Sequence, residues 1–479
     1  MSKLNGFSRS LWSVGAWACG AFVCLGLAEA AWAKAKPVRF ITLAPGHFHA
    51  ALVQKQMLPQ VDPTVTVYAP LGFDLTEHIK RIVGFNTRAE APTAWGLDVR
   101  AQENYLSLFR KEKRGSVVVI SGRNAGKIEL IETSVDGGMH VLVDKPWIIE
   151  PEDFGKLERV LAKAKQRGVL AYDIMTERFE PTNALQKELV NAPDVFGQID
   201  PGTAASPGVY IENVHHFMKM VAGRPNIRPT WFFDSRQQGE GMADTGTHLV
   251  DLVQWTLAPD QALDAKRDIE VLQAQRWPTP VTQAQFRNVT ATDGPWPAFL
   301  TEAVVKDQLN VFANTQVTYK LRGTFVQMAS MWSWEAEKGG GDWHYAVYRG
   351  TRSTVEIRQG RQQKFVPELY VVPRSPADAM SVQQALRARL ASLGDRFAGV
   401  SLQEESGTFH VIVPQPLRLG HEAHFGEVTR NFLAYLNAPR TLPAWESTNL
   451  LAKYWVTTQA TKLSRQSAPL AGFSSKAPR

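Results

Sequence analysis

Two kinds of hydrophobic pattern divide the chain. In the first part, short apolar runs alternate with segments of helical period, and this alternation predicts a doubly wound parallel sheet. Val117 to Ile120 is an unbroken β-branched run, which is typical of a strand covered on both faces. The predicted strands are 38–43, 65–68, 117–120, 140–143 and 169–173, and the predicted helices are 47–57, 75–83, 103–113, 125–135 and 151–166.

Beyond Glu177 the pattern changes to strands in which apolar and polar residues alternate, as in an antiparallel sheet. The predicted strands include 317–321, 325–333 and 353–358, and the predicted helices are 181–190, 244–257, 424–436 and 445–463. We interpret 366–414 as a small insertion, because it reads as strand, helix, strand. The fold class is therefore α/β, with an N-terminal doubly wound domain at 34–175, a C-terminal α+β domain at 176–465 and a tail at 466–479. A length of 479 residues also favours two domains.

The amino terminus has the pattern of a secretory signal peptide. A basic start is followed by an apolar run from Leu11 to Trp32 and a small-residue site at Ala33, so residues 1–33 are predicted to be cleaved. An uncleaved membrane anchor is the alternative, because the run is long enough to span a bilayer. Arg9 has no second arginine beside it, which favours general secretion to the periplasm or the medium. After cleavage we expect no stable association with a membrane.

Composition excludes several classes of protein. Both cysteines, Cys19 and Cys24, lie in the predicted signal, so the mature chain has no thiol for a disulfide, a metal or nucleophilic attack. A net charge of +7 over 479 residues is weak, and the basic cluster from Arg110 to Arg114 is interrupted by an acid. We therefore expect no nucleic-acid partner.

Two motifs bring candidate catalytic groups into the pattern. The predicted strand 140–143 ends in Asp144-Lys145-Pro146, which places an amine at the carboxyl edge of the sheet, where α/β proteins bind ligands. Asp244 and His248 stand at i and i+4, so they are predicted to share one face of a helix. A lysine, an aspartate and a histidine in one pocket can move the proton of a sugar hydroxyl while a nicotinamide takes the hydride. Alternatively, Lys145 only ends its strand in an ion pair and His248 only packs in its helix.

The nucleotide signal after the first strand is weaker. A dinucleotide fold has Gly-x-Gly-x-x-Gly there, whereas this chain has Ala44-Pro45-Gly46-His47-Phe48-His49, with only the middle glycine. No acid ends the second strand to hold the ribose. Asp74 is the nearest candidate, and we interpret it as the amino-terminal cap of the following helix.

Taken together, these motifs resemble the glucose-fructose oxidoreductase, inositol dehydrogenase and MocA (Gfo/Idh/MocA) family. The resemblance spans nearly all of the mature chain and is most specific at 239–255. Trp332-Ser-Trp334, the loop 339–343 and the segment 421–431 are similar to a subgroup with its own “putative oxidoreductase” C-terminal domain. The resemblance implies a Rossmann domain, a second domain with a large open sheet, action on sugars or related compounds with NAD or NADP, and a homo-oligomer built on that sheet.

The resemblance also implies roles for individual residues. Lys145, Asp244 and His248 match the catalytic residues, with His248 as the general base. Asp144 stands where the family has a glutamate. The residues implied to bind the cofactor are Gly46, His47 and Phe48 at the diphosphate, Ser121 and Asn124 beside the nicotinamide, and Asp144, Lys145 and Pro146 at the end of the strand.

Weaker candidates for substrate contact come from the residues around these motifs. His215 and His216 precede the second motif, and because neighbours on a strand face opposite ways, at most one should reach the substrate. The others are Asp173, Arg236 and Gln238, with interdomain ion pairing as the alternative for Asp173. Asp342 and His344, in a glycine-rich loop, are interpreted as loop structure or substrate contact.

No metal site is predicted from the sequence. His421-Glu-Ala-His424 resembles a zinc motif, but its histidines stand at i and i+3, whereas a metalloprotease helix places them at i and i+4.

Export limits the chemistry, because free nicotinamide dinucleotides are scarce outside the cytoplasm. The leading hypothesis is an exported NAD(P)-dependent oxidoreductase that acts on a small carbohydrate and holds its cofactor tightly. A redox-neutral glycosidase, lyase or epimerase that recycles a bound NAD is the close alternative. A third reading is a carbohydrate-binding protein that has lost its nucleotide, for which the tryptophans would suit sugar stacking.

Overall fold

The structure of the protein is a computed structural model that describes residues 36–221 and 224–468. The predicted signal peptide at 1–33 and the part of the predicted tail beyond 468 lie outside these residues, so both stay predictions. Within the described ranges, no helix combines the length and the apolar character that crossing a membrane requires.

The first sheet has six parallel strands. They are β1 (Phe40–Leu43), β2 (Thr64–Ala69), β3 (Gly96–Ala101), β4 (Val117–Ile120), β5 (His140–Asp144) and β6 (Ala171–Ile174), in the order β3-β2-β1-β4-β5-β6. The order reverses between β1 and β4, and this switch point is where doubly wound sheets bind ligands. The helices of this part are His49–Leu52, Phe73–Thr87, Tyr105–Phe109, Lys127–Asp136 and Phe154–Arg167.

Three elements of this part differ from the sequence prediction, and one of them is the helix predicted over 103–113, which is only Tyr105–Phe109. Strand β3 was not predicted, because it is a largely exposed edge strand without an apolar run. The helix predicted over 47–57 is only His49–Leu52. Turns replace its second half, where Lys55 pairs with Glu422.

The second sheet has ten strands and is mostly antiparallel. They are β7 (Val209–Met218), β10 (Ile269–Thr282), β11 (Val304–Val305), β12 (Gln308–Leu321), β13 (Thr324–Glu335), β14 (Trp343–Arg349), β15 (Ser353–Gln359), β16 (Glu368–Pro373), β17 (Ser401–Glu405) and β18 (Thr408–Ile412), while β8 (Met220–Val221) and β9 (Arg224–Pro225) form a separate pair. Among the described strands of this sheet, only β7 and β13 pair in parallel. The α/β fold class with a parallel sheet followed by a mostly antiparallel one is therefore confirmed.

The second part of the chain also contains helices, most of which lie on or beside this sheet. They are Pro181–Val190, Pro193–Phe196, Ser235–Gln238, Gly246–Leu257, Gln283–Thr290, Ala379–Ser392, His421–Asn437 and Glu446–Gln466. In the segment 366–414, β16, β18 and β17 extend the large sheet at one edge, and Val382 and Leu386 of its helix are buried in the same core.

The last two long helices also pack on the first domain, while Ala452, Val456 and Ala460 of Glu446–Gln466 lie in the core of the second sheet. Phe425, Val428 and Phe432 of His421–Asn437 pack in one core with Phe40 and Val117 of the parallel sheet. Leu450 and Tyr454 of Glu446–Gln466 join the core on its other face. The apolar pattern predicts both helices but does not say which sheet they cover.

Candidate active site

Two cavities lie at the carboxyl edge of the parallel sheet. One, of about 380 Å³, is lined by the loops after β1 and β5 and by residues of the second domain, and we call it the inner cavity. The other, of about 600 Å³, lies at the ends of β1, β2 and β4, at the switch point, and we call it the outer cavity. The guanidinium-bearing side chain of Arg228 lines both.

Lys145 and Asp244 meet on the wall of the inner cavity. The Lys145 Nζ donates to Asp244 Oδ1 at 2.9 Å and to the Asp244 carbonyl at 3.2 Å. Burial alone would lower the pKa of Lys145, but the carboxylates of Asp244 and Asp144 raise it above its usual value. Burial would likewise raise the pKa of Asp244, but Lys145 lowers it to about 2. The pair is therefore charged at neutral pH.

His248 lines the same cavity as a neutral imidazole. Burial, assisted by the Lys145 ammonium, lowers the pKa of His248 to about 3. Its Nδ1 is buried and has no hydrogen-bond partner among the described residues. A neutral ring with a free nitrogen can accept a proton.

The placement of Asp244 corrects the helix predicted over 244–257. The helix begins at Gly246, so Asp244 lies in the turn before it and only His248 is helical. The two residues reach one cavity because the turn and the first helical residues lie together, not because they share a helix face.

The residues predicted to hold a diphosphate do not line the outer cavity. The amides of Gly46 and His47 donate to the Ser121 carbonyl at 3.1 and 3.2 Å. His47 and Phe48 line the inner cavity. Asn124 donates to the carbonyl of Gln238 at 2.7 Å and lines neither cavity. Pro146 follows Lys145 through a cis peptide bond and also lies outside the two linings.

Asp144, at the end of β5, is contacted by three polar side chains. The His49 Nδ1 lies 3.0 Å and the His47 Nδ1 3.2 Å from its Oδ2, and Ser121 Oγ donates to the same oxygen at 2.8 Å. Burial lowers the pKa of both imidazoles. Burial would raise the pKa of Asp144, but the two imidazoles hold it well below its usual range.

A second polar group lies on another wall of the inner cavity. Asp342 accepts from His215 Nδ1 at 2.8 Å, from His216 Nδ1 at 3.0 Å and from Lys219. Although burial would raise the pKa of Asp342, these partners hold it far below its usual range. As strand geometry requires, His215 lines the cavity, whereas His216 is buried outside the lining. His215 also lies against the ring of Trp332, at 5.3 Å between centroids.

Three residues predicted as weak substrate contacts do not line the inner cavity. Asp173 binds Lys453 at 2.8 Å and the Trp147 indole at 3.1 Å, which is the interdomain ion pair considered as its alternative. Arg236 is largely exposed and pairs with Asp234 at 3.0 Å. Gln238 is buried, and its side-chain oxygen accepts a hydrogen bond from Asn124.

Other residues line the cavity, of which Glu180 and Asn213 were not predicted from the sequence, whereas His344 was considered as loop structure or substrate contact. Glu177 pairs with His421 at 3.2 Å, and burial raises the pKa of Glu180 to about 7 while its carboxylate caps the helix Pro181–Val190. His344 and Asn213 each present a buried polar atom without a hydrogen-bond partner in the described chain. Both residues come from strands of the second sheet. In the sequence, the glycine-rich loop around residue 342 pointed to His344, and nothing pointed to Asn213.

In the outer cavity, Asp74 is not the predicted helix cap. The helix Phe73–Thr87 follows Gly72 without a side-chain capping bond. The Asp74 carboxylate instead accepts from the Trp231 indole at 3.0 Å and lies 3.6 Å from Arg123. Its Oδ2 lies 3.2 Å from the position that a β-carbon on Gly46 would take, so a larger residue there would require the Asp74 side chain to shift.

The outer cavity fits the nucleotide half of a dinucleotide. Its position at the switch point and its volume of about 600 Å³ suit an adenosine diphosphate. Apolar walls from Leu71, Phe73 and Leu130 suit a base, and Arg123 and Arg228 offer cations to phosphates. Arg228 connects this space to the inner cavity, where a nicotinamide would meet Lys145.

Comparisons with known proteins agree with this architecture. The model of the family described as “Putative oxidoreductase C terminal domain” matches residues 185–465. A solved structure of a “putative oxidoreductase” from Parabacteroides merdae is 44% identical, with 90% of this chain and 98% of that chain covered and a TM-score of 0.87. No curated protein sequence matches the chain.

More distant solved structures share the fold. GenD2 from gentamicin A biosynthesis, in complex with NAD, is 15% identical over 90% of this chain and 95% of its own, with a TM-score of 0.54. KijD10, a 3-ketoreductase from Actinomadura kijaniata in complex with NADP and TDP-benzene, is 13% identical over 90% of this chain and 98% of its own, with a TM-score of 0.51.

Proposed function

Because the chain belongs to the family described as “Putative oxidoreductase C terminal domain”, within the Gfo/Idh/MocA-type oxidoreductases, we propose that it is an exported NAD(P)-dependent oxidoreductase. Its substrate is a sugar or a sugar derivative, bound in the inner cavity. The observation that carries the proposal is the buried Lys145–Asp244 pair beside the neutral His248. These three groups line one cavity between the domains.

The cofactor would occupy both cavities. Its adenosine diphosphate half would lie between Leu71, Arg123 and Arg228, and its nicotinamide beside Lys145. GenD2 and KijD10, which share the fold, are complexes with NAD and NADP. When bound, such a cofactor accepts a hydride from a sugar carbon.

The protein supplies the proton chemistry and the positioning. The Lys145 ammonium donates a hydrogen bond to the reacting hydroxyl and stabilises negative charge on that oxygen. His248, neutral at physiological pH, accepts the hydroxyl proton. Asp244 holds the lysine in place.

The walls of the inner cavity favour a sugar over an apolar ligand. Phe232, Trp332 and Trp343 give the cavity an aromatic lining against which a sugar ring can pack. Asn213 and His344 offer buried polar atoms without partners in the described chain, and hydroxyl groups of a sugar would satisfy them.

A second candidate is redox-neutral chemistry, and the His215–Asp342 pair favours it. A carboxylate that binds the Nδ1 of a histidine holds the ring so that Nε2 can act as a base. Once a hydroxyl carbon has become a carbonyl, the neighbouring C–H bond is acidic. His215 could take that proton, the leaving alkoxide would take a proton in turn, and the hydride would return to the carbonyl carbon.

Export is proposed from the amino-terminal sequence. The basic start, the apolar run to Trp32 and the small-residue site at Ala33 are the parts of a secretory signal. Comparing the amino-terminal residue of the protein from a periplasmic extract with that of the gene product tests this point.

One experiment separates the candidates. The purified protein is denatured, and any released nucleotide is identified by mass spectrometry. Bound NAD(P) with net formation of reduced nicotinamide on a panel of sugars supports the oxidoreductase. Bound NAD(P) with a changed sugar and no net reduction supports the redox-neutral enzyme. Protein that neither contains nor binds nucleotide contradicts both and leaves a carbohydrate-binding protein.

A variant tests the assignment of Lys145. Lys145→Ala should lower turnover by more than about 100-fold, because it removes the group that stabilises the reacting oxygen. Lys163→Ala, on the surface helix Phe154–Arg167, is the control and should keep full activity. An active Lys145→Ala variant would remove the lysine from the mechanism.

A further inference from the structure

Two histidines and an aspartate form a cluster that the proposed hydride chemistry does not use. His47 and His49 belong to the turn after β1, and Asp144 ends β5. One imidazole nitrogen from each histidine and a carboxylate oxygen of Asp144 lie within 4.8 Å of one another. His49 occupies the position that the last glycine takes in a dinucleotide-binding motif. Nucleotide binding therefore does not explain why a histidine side chain is present there.

Two of the three separations match those of ligands around one ion. A first-row divalent cation lies about 2.0–2.2 Å from imidazole nitrogen and carboxylate oxygen. Two ligands that subtend an angle between a right angle and a tetrahedral angle are then about 3.0–3.4 Å apart. The nitrogens of His49 and His47 lie 3.0 and 3.2 Å from Asp144 Oδ2.

Hydrogen bonds account for the cluster incompletely. Asp144 Oδ2 already accepts from Ser121 Oγ at 2.8 Å and from His49, which uses both lone pairs of one oxygen. The His47 Nδ1 is buried and close to the same oxygen, yet it makes no aligned hydrogen bond within the described chain. A cation between the three side chains would take this nitrogen as a ligand.

The cluster opens on the inner cavity. His47 and His49 line it, beside Lys145. Three protein ligands leave further coordination positions, as in metal sites that bind a substrate. Ser121 Oγ donates to the carboxylate of Asp144, which is the support that ligating groups receive in such sites.

We propose that His47, His49 and Asp144 bind one divalent first-row transition-metal ion whose open positions face the inner cavity. An oxygen of a hydroxyl or carbonyl group of the substrate coordinates there. The ion fixes that oxygen and withdraws electron density from it. The site does not depend on the nucleotide cavity, so it stands or falls separately from the proposed function.

The test uses the full chain, purified without a polyhistidine tag, and Zn²⁺ as the probe. After removal of bound metal with a chelator, calorimetric titration should show one Zn²⁺ per chain. His49→Gln and Asp144→Asn should each weaken binding by more than about 100-fold. Loss of a residue that supports a metal ligand weakens binding by about 10–100-fold, and loss of the ligand itself costs more. Co²⁺ in place of Zn²⁺ should give visible absorption that both variants lose.

His140→Gln is the matched control. His140 begins β5, the strand that Asp144 ends, and it accepts a hydrogen bond from the backbone amide of Leu170. This variant should bind Zn²⁺ as the unchanged protein does, and circular dichroism checks that each variant folds. If the two buried variants fail to fold, His47→Gln, at the more exposed cluster position, takes their place. Absence of stoichiometric Zn²⁺ binding, or binding that these variants leave unchanged, overturns the proposal.

Discussion

Lys145 and Asp244 come from different domains and meet as a buried ion pair. The side chains are 7% and 13% exposed, so each charge depends on the other for most of its solvation. Removing one partner of such a pair leaves a buried charge unpaired, which costs more than the pair contributes.

The Asp244→Ala variant should therefore lose about 3–5 kcal/mol of its free energy of unfolding. Urea denaturation followed by circular dichroism measures this loss. The double variant Lys145→Met/Asp244→Leu is the control and should recover most of the stability, since no charge is left unpaired. A single variant as stable as the unchanged protein would show that the pair is solvated.

His248 should make stability depend on pH. Its pKa is about 3 in the folded protein, against 6.5 for a free imidazole, so the ring takes up a proton on unfolding. The contribution of neutral His248 is complete above about pH 6.5 and is lost progressively as the pH falls towards about 3.

His248→Gln should consequently lose less unfolding free energy than the unchanged protein when the pH falls from about 7 to about 5. Urea denaturation at the two pH values gives the comparison. Equal losses in both proteins would mean that folding does not lower the pKa of His248.

At the scale of elements, the helix Glu446–Gln466 fastens the two domains together. Lys453, 1% exposed, lies 2.8 Å from Asp173 of β6 and 3.1 Å from Asp251 of the helix Gly246–Leu257. Tyr454 adds a hydroxyl bond to Asp173 at 3.2 Å. One turn of this helix thus holds an acid from each domain.

Lys453→Met should destabilise the protein by about 3–5 kcal/mol, because the buried carboxylate of Asp173 loses its cation, whereas Asp251 keeps Arg178 at 2.7 Å. Thermal and urea denaturation measure the loss. Lys462→Met is the matched control, since Lys462 is exposed on the same helix, and it should change stability by less than about 0.5 kcal/mol. Similar effects of the two substitutions would contradict the role of Lys453.

At the scale of the whole molecule, the two domains are not independent. The helix His421–Asn437 supplies Phe425, Val428 and Phe432 to the core of the parallel sheet. The inner cavity likewise has walls from both domains. A chain that stops before this helix would leave part of one face of the first sheet exposed to water.

We expect a fragment of residues 36–175 to lack a cooperative thermal transition, because a parallel sheet needs cover on both faces. A fragment of this range mixed with the helices 421–468 as a separate peptide is the comparison. Calorimetry measures both samples. A sharp transition of the fragment alone would show that the first domain folds without the carboxyl-terminal helices.

The pattern along the chain predicted most elements and the order of the two sheets. Unbroken apolar runs such as Val117–Ile120 identify covered strands wherever they lie. The exposed edge strand β3 and the shortened helix after β1 were not predicted correctly, because neither is decided by local pattern. The first is held by its pairing with β2, and the second ends among contacts with a helix near residue 422.

The sequence by itself also identified Lys145 at the end of a strand and Asp244 and His248 at the start of a helix. It identified His47 as a candidate, but not the side chains that His47 contacts. Only the tertiary structure decided that Asp144 contacts both His47 and His49. It also decided that His215 is paired with Asp342 on the cavity wall and that Asp173 belongs to an interdomain ion pair. The physical reason is that an element follows from the period of its own residues, whereas a site depends on which distant side chains share a buried volume. Burial and charge pairing across about a hundred residues or more leave no periodic signal in the chain.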